Sequence, residues 1–127
     1  MFSAGVQKRL QARHYLRGNF GEESAPHSHP YIVEAVCRSS QLDGNGFSTD
    51  IAVLEDELEA VLGKIDDVLL NELDFFHDRQ PSLENLCVYL WDKLVEGLHS
   101  RNTPLPAELA IRIWESGTAW ASYDCGV

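Results

Sequence analysis

The order in which hydrophobic patterns follow one another is the feature that most constrains the fold of this chain. Strand-like stretches come first, at residues 4–16 and 30–39, and two more close the pattern at 107–114 and 118–124. Between them lie two stretches with the period of amphipathic helices. The order ββααββ predicts an α+β fold, with one four-stranded antiparallel sheet and both helices on one face. The other face then needs a cover, and a partner subunit is the simplest candidate.

Both helices have a capping signal and an apolar stripe. Ser48, Thr49 and Asp50 come directly before the first helix, and any of them can cap it. The second begins at Pro81-Ser82, which predicts Ser82 as its N-cap. The stripes consist of Ile51, Leu54, Leu58, Val61 and Leu62 in the first helix and of Leu83, Leu86, Cys87, Leu90, Leu94 and Leu98 in the second. Each helix is therefore predicted to face a core.

Length and charge limit the classes of function. With 127 residues, the chain is predicted to be a single domain over 1–127. Its 20 acidic and 10 basic residues give a net charge of -10, which opposes binding to nucleic acid and to anionic membranes. No signal-peptide pattern is present, and no apolar run approaches the ~20 residues that span a bilayer. A cytoplasmic protein is expected.

The three cysteines predict packing positions. They are odd in number, lie far apart and form no C-x-x-C motif, so reduced thiols are expected. Cys37 lies in an apolar strand and Cys87 on a helical stripe, which favours the core for both. Cys125, close to the end of the pattern, is a candidate for exposure.

Three histidines form a candidate metal site. Residues i and i+2 of a strand face the same side, so both rings of His27-Ser28-His29 can approach one ion. A hairpin would bring His14, at the end of the first strand-like stretch, beside them. Three nitrogens with an open fourth position are typical of catalytic zinc. The alternative is that His27 and His29 are surface residues flanking a turn serine.

Six segments, in the same order along the chain, resemble motifs of the 6-pyruvoyltetrahydropterin synthase family, which includes the 6-carboxytetrahydropterin synthase of queuosine biosynthesis. His27-Ser28-His29 resembles the H-G-H zinc pair of that family. Residues 65–71 resemble its L-D-H-x-x-L-N segment, and Pro81-Ser82-Leu83-Glu84-Asn85 resembles its P-T-x-E-N segment. The other three segments are 10–16, with a zinc histidine late in the first strand, 46–51 before the first helix, and 113–116 with a strand glutamate.

The resemblance implies the T-fold, in which three subunits join their sheets into a barrel and two trimers stack as a homohexamer. It implies that Zn²⁺ is held by His14, His27 and His29, and that dihydroneopterin triphosphate binds between subunits. Glu115 would accept hydrogen bonds from the pterin ring, since a carboxylate can receive two parallel N–H groups. Ser82 would be a second substrate-binding residue. The alternative for Glu115 is an exposed strand carboxylate.

The chain departs from the family at two catalytic positions. The family has a general-base cysteine shortly before its zinc pair, whereas residues 21–26 contain no thiol. Glu23 stands at that position, with Glu22 beside it. In one branch of the family a glutamate replaces the cysteine, and the product is 6-hydroxymethyl-dihydropterin for folate synthesis. Glu23 is therefore the candidate catalytic base.

The second departure is that Asp66 is followed by Asp67, where the family has an Asp-His pair. Two adjacent acids near a zinc ion repel each other, which would raise one pKa and provide a proton donor. The alternative is a pair of solvated loop carboxylates. His77 is either a substitute proton carrier or an ordinary loop histidine.

Three hypotheses follow for the function. The first is a zinc-dependent, pterin-processing lyase in which Glu23 is the base and Asp66 or Asp67 assists proton transfer. The second is a pterin-binding protein without catalysis. The third is a protein that binds a different purine- or pterin-like ring.

Overall fold

A four-stranded antiparallel sheet forms one layer of the molecule. The computed structural model describes residues 1–127, and its first two strands are β1, Phe2–His14, and β2, His27–Ser39. They pair along their whole length, from Phe2 opposite Ser39 to His14 opposite His27. β3, Glu108–Trp114, pairs with β2, and β4, Trp120–Gly126, pairs with β3, so the spatial order is the sequence order. The predicted sheet is confirmed.

Two helices form the second layer on one face of the sheet. α1, Ile51–Gly63, packs against β1, and α2, Leu83–His99, packs against β3 and β4. The side chain of Asp50 caps α1, and that of Ser82 caps α2 by accepting the Asn85 N–H at 3.2 Å. The apolar stripes of both helices and the inward residues of the sheet form one core of 21 residues. The predicted helices and the Ser82 cap are confirmed.

The start of β2 differs from the sequence prediction. The strand begins at His27 rather than at residue 30, because its pairing with β1 continues across Pro30. Gln11 is the register partner of Pro30, and its N–H and C=O turn away from β2 toward Asp66 and Asp67. The pairing of β2 with β3 ends at Ile32. The missing N–H of Pro30 therefore costs no sheet hydrogen bond, because neither neighbouring strand offers it an acceptor.

The cysteines occupy the predicted environments. Cys37 and Cys87 are buried, Cys125 is exposed, and all three are free thiols. Burial raises the pKa of Cys37 to about 11 and that of Cys87 to about 12, so both thiols stay protonated at neutral pH. Neither helix is long and apolar enough to cross a membrane.

Candidate metal centre

Three imidazole rings converge where β1 ends and β2 begins. His14 is the last residue of β1 and lies opposite His27, the first of β2, while His29 follows on the same face of the sheet. One ligand nitrogen from each ring lies within 4.8 Å of the other two. The hairpin prediction that His14 joins the H-S-H pair is therefore confirmed.

Backbone carbonyls fix which nitrogens can bind a metal. His14 Nδ1 lies 2.7 Å from the carbonyl oxygen of Pro81, and His27 Nδ1 lies 2.8 Å from that of Ala25. A carbonyl only accepts, so each Nδ1 carries the proton and each Nε2 keeps its lone pair. Nδ1–H bonded to a carbonyl is the usual outer support of a metal-binding histidine.

The free nitrogens fit a metal ion. The Nε2 atoms of His27 and His29 are buried and have no hydrogen-bond partner. Buried polar atoms are rarely left unpaired, and a cation coordinated by these nitrogens would satisfy them. Burial lowers the pKa of His14; the hydrogen bond to the Pro81 carbonyl opposes this, and the neighbouring His27 and His29 reinforce it. The site thus favours the neutral ring that a metal requires.

Tyr31 closes the inner side of the three-histidine cluster. Its ring stacks on that of His29, with 12° between the planes and 5.6 Å between the centroids. Its hydroxyl lies 3.5 Å from His14 Nε2, and only 1% of the residue is exposed. Burial raises the pKa of this phenol, and the negative charges of Glu115 and Glu23 act in the same direction. Tyr31 is thus a neutral hydrogen-bond donor beside the three histidines.

Two side-chain amides hold the segment that directly follows His14. Asn71 accepts the N–H of Tyr15 and donates to its carbonyl, both at 3.0 Å. Gln80 does the same for Arg17, at 2.8 and 3.0 Å. The segment after β1 is thereby fixed against the loop that carries Pro81, which determines the direction of the His14 ring.

Glu23, rather than Glu22, is the loop carboxylate whose charge affects His14 and Tyr31. The loop contains a short 3-10 helix, Gly21–Ser24, and the carbonyl of Glu23 accepts the Leu16 N–H at 2.7 Å. The charge of Glu23 raises the pKa of both His14 and Tyr31, whereas Glu22 contributes to neither. Glu23 therefore lies near enough to His14 and Tyr31 for its charge to affect both.

The two acids at 66 and 67 lie along the free edge of β1. Asp66 accepts the Gln11 N–H at 2.9 Å, and the Asp67 N–H donates to the Gln11 carbonyl at 2.9 Å. Asp67 has a left-handed backbone conformation, with φ of 57°, which aspartate adopts more readily than most residues. Its carboxylate faces Arg13 at 3.9 Å. Both acids are exposed and engaged with β1, and neither belongs to the cluster of potential metal ligands.

The remaining predicted site residues lie around the cluster. Glu115 follows β3, is exposed, and lies near enough to Tyr31 for its charge to affect the phenol. Ser82 follows Pro81, whose carbonyl holds His14. His77 is exposed in a loop, with Nδ1 3.8 Å from an Asp74 carboxylate oxygen, and does not join the cluster.

A sequence profile described as 6-pyruvoyl tetrahydropterin synthase matches residues 4–125, which is nearly the whole chain. The chain belongs to the 6-pyruvoyl tetrahydropterin synthase family. Membership indicates a pterin-processing protein, and the family is typically metal-dependent. The family resemblance of the sequence motifs is thereby confirmed. A search of curated proteins finds no match.

Solved structures of 6-pyruvoyl tetrahydropterin synthases share this fold. The Caenorhabditis elegans protein superposes with a TM-score of 0.82 at 21% identity, covering 98% of this chain and 96% of that one. The Plasmodium vivax protein gives 0.76 at 16% identity with full coverage of both chains, and the Plasmodium falciparum protein gives 0.73 at 19%, covering 98% and 99%. Two further P. vivax structures have alanine or cysteine in place of a glutamate described as catalytic. The T-fold of the subunit is therefore established.

Several residues of this family member's site were missed in the sequence. Tyr31 follows His29 at the same i+2 spacing that links His29 to His27, so strand periodicity would have found it. Asn71 and Asn85 stand in the two segments that resemble family motifs, and Asn85 donates to the Gln80 carbonyl at 2.9 Å. Gln80 has no sequence signal, because its role depends on where its loop meets Arg17.

Proposed function

We propose that the chain is a zinc-dependent lyase acting on dihydroneopterin triphosphate or a closely related pterin. The observation that carries the proposal is the convergence of three histidines whose metal-binding nitrogens include two buried atoms without a partner. They occur in a chain of a pterin-processing family. His14, His27 and His29 would hold the ion, leaving one position of a tetrahedron for the substrate.

The zinc ion would supply Lewis-acid polarisation of a side-chain hydroxyl of the pterin, which makes the proton of that hydroxyl easier to remove. The chain itself supplies the orientation of the ligands. The carbonyls of Pro81 and Ala25 hold His14 and His27 in the tautomer that offers Nε2. The amides of Asn71 and Gln80 hold the backbone of Tyr15 and Arg17, directly after His14.

Glu23 is the proposed general base, which takes the proton of a side-chain hydroxyl of the pterin. Its charge acts on His14 and Tyr31, and its backbone is held over the end of β1 by the hydrogen bond from Leu16. The Plasmodium vivax relative supports a glutamate in such a role, since one of its glutamates is described as catalytic. We expect the product to be 6-hydroxymethyl-dihydropterin: as the hydroxyl of the second side-chain carbon loses its proton, the bond between the first and second carbons breaks. A two-carbon aldehyde carrying the triphosphate leaves, and the first carbon takes up a proton.

Glu115 is the proposed anchor of the pterin ring. It lies close to Tyr31 and is exposed, so its carboxylate is free to accept two parallel N–H groups. Ser82, adjacent to Pro81, is proposed to contribute a polar contact beside its capping role. A proton-transfer role for Asp66 or Asp67 stays a prediction, and in the proposal their hydrogen bonds to Gln11 position the end of β1.

A homohexamer is the proposed assembly. The sheet face opposite the helices exposes 48% of Trp120, and the Arg112 guanidinium lies 4.0 Å from the centroid of that ring. A groove of about 590 Å³ on this face includes Glu115 but none of the three histidines. Partner subunits that cover the sheet would bring additional residues to the pterin, which explains why one chain alone does not enclose the site.

Pterin binding without catalysis is the second candidate function. The observation that favours it is the position of Asp67, which stands where the family has a histidine and faces Arg13 at the edge of β1. In that case the metal ligands and Glu115 would serve recognition alone.

The test is to incubate zinc-loaded protein with dihydroneopterin triphosphate and to separate the pterins by chromatography. We expect turnover in the wild type, and in Glu23→Gln a fall of about 100-fold or more because the base is lost. Glu22→Gln is the matched control and should retain turnover. Tight pterin binding without product in the wild type would favour the second candidate, and no pterin binding would overturn both.

A further inference from the structure

A buried hydroxyl beside the proposed metal ligands has only one hydrogen-bond acceptor, and that acceptor is distant. The Tyr31 hydroxyl lies 3.5 Å from His14 Nε2, at the long limit of a hydrogen bond, and no other partner lies within hydrogen-bonding distance. Its ring is held between His14 and His29 in a residue that is 1% exposed, so the hydroxyl cannot turn to bulk solvent. A buried phenol normally donates to some acceptor.

A metal ion would remove the acceptor that the hydroxyl now has. The Pro81 carbonyl receives the Nδ1 proton of His14, so Nε2 is the only nitrogen of that ring with a lone pair. When that lone pair binds a metal, it no longer accepts from Tyr31. The hydroxyl stays within a few ångströms of the bound ion, and the acceptor nearest to it is then the group that completes the coordination.

We propose that Tyr31 is a ligand-recognition residue that donates a hydrogen bond to the oxygen atom bound at the open position of the three-histidine metal centre. The proposal rests on the metal site of the proposed function and adds a residue to it. The proposal implies that the fourth ligand binds through an oxygen atom of a hydroxyl or carboxylate group. The phenol can donate a hydrogen bond to that atom, whereas the surrounding rings cannot.

Cobalt(II) and acetate provide a test that does not depend on turnover. Cobalt(II) replaces zinc and its visible absorption reports both metal binding and changes in the fourth ligand, while acetate serves as the oxygen-donor probe. Tyr31→Phe keeps the ring that stacks on His29 and removes only the hydroxyl. Tyr89→Phe is the matched control, since Tyr89 packs on Phe75 and Phe76 away from the cluster.

We expect Tyr31→Phe to bind cobalt with an affinity within about threefold of the wild type, and to bind acetate about 10-fold more weakly, since one hydrogen bond to a charged oxygen is lost. Tyr89→Phe should match the wild type in both. Equal acetate affinity in Tyr31→Phe would overturn the inference, as would a loss of cobalt affinity of similar size, because the hydroxyl would then support the histidines. Absence of cobalt binding in the wild type would instead contradict the proposed metal site.

A crystal structure of the cobalt-loaded wild type with acetate avoids any question of how the variant folds. The distance between the Tyr31 hydroxyl and the nearer acetate oxygen should be below about 3.0 Å. A hydroxyl that still points at His14 Nε2, or that contacts a backbone carbonyl, would overturn the inference.

Discussion

At the scale of single residues, the site depends on which nitrogen of each histidine is free. The i and i+2 spacing of His27 and His29 indicates that both rings share a face, and strand register adds His14. The carbonyls that fix the tautomers of His14 and His27 come from Pro81 and Ala25. The positions of these two carbonyls relative to the rings depend on the paths of two loops. The spacing of residues along the sequence does not predict those paths.

Replacement of His27 by alanine should abolish tight zinc binding, since two remaining nitrogens do not form a three-ligand centre. Zinc at a hundred times its dissociation constant should stabilise the wild type by about 2.7 kcal/mol and leave His27→Ala unchanged. Metal analysis after dialysis and thermal unfolding with and without zinc measure the two effects. His77→Ala is the control, because His77 is exposed in a loop and lies outside the cluster. Stoichiometric zinc in His27→Ala would contradict this assignment of ligands.

At the scale of the elements, loop side chains and backbone groups form hydrogen bonds with the outer edge of β1 near its end, where no neighbouring strand lies. Asp66 and the backbone of Asp67 bind the outer edge at Gln11, and the amides of Asn71 and Gln80 continue along Tyr15 and Arg17. This segment contains two 3-10 helices, Leu70–Glu72 and Asp74–Phe76, and no strand, yet it holds the backbone at the end of β1 through hydrogen bonds. Its hydrogen bonds resemble those of a ladder, in which each backbone N–H and C=O finds a partner.

Asn71→Ala should destabilise the protein by about 1–3 kcal/mol, because it leaves the N–H and C=O of Tyr15 without partners in a part-buried position. The loosened segment carries His14 at one end, so zinc affinity should fall as well. Urea unfolding gives the first quantity and zinc competition against a chelator gives the second. Asn45→Ala is the matched control, since Asn45 lies in an exposed turn. A variant that loses stability but keeps wild-type zinc affinity would show that the amide does not position His14.

At the scale of the whole molecule, one face of the sheet is covered and the other is not. The helices bury the residues of one face, while the other combines charged side chains with the half-exposed Trp120 and the Arg112 stacked on it. The two edge strands, β1 and β4, also lack neighbours over much of their length. Exposed strand edges readily pair with another chain, which is the basis for expecting a closed ring of subunits.

Light scattering on the purified protein should give a mass six times the 14.3 kDa of one chain. A dilution series should show the hexamer dissociating through trimers, because the proposed barrel closes within each trimer. A monomer at micromolar concentration would contradict the assembly and would require the pterin site to be complete within one chain. Zinc-free protein run in parallel separates the contribution of the metal from that of the strand edges.

The sequence alone determined the order of the elements, the Ser82 cap of α2 and the grouping of the three histidines, because these follow from periodicities within a few residues and from one hairpin. Asp66 and Asp67 show where such reasoning ends: the sequence left open whether they serve proton transfer or are loop carboxylates, and only the fold shows that they bind the edge of β1. Tyr31, Asn71 and Gln80 acquired their roles only in the tertiary structure. Their partners lie far away along the chain, and only the packing of loops against the sheet decides which distant atoms come within hydrogen-bonding distance.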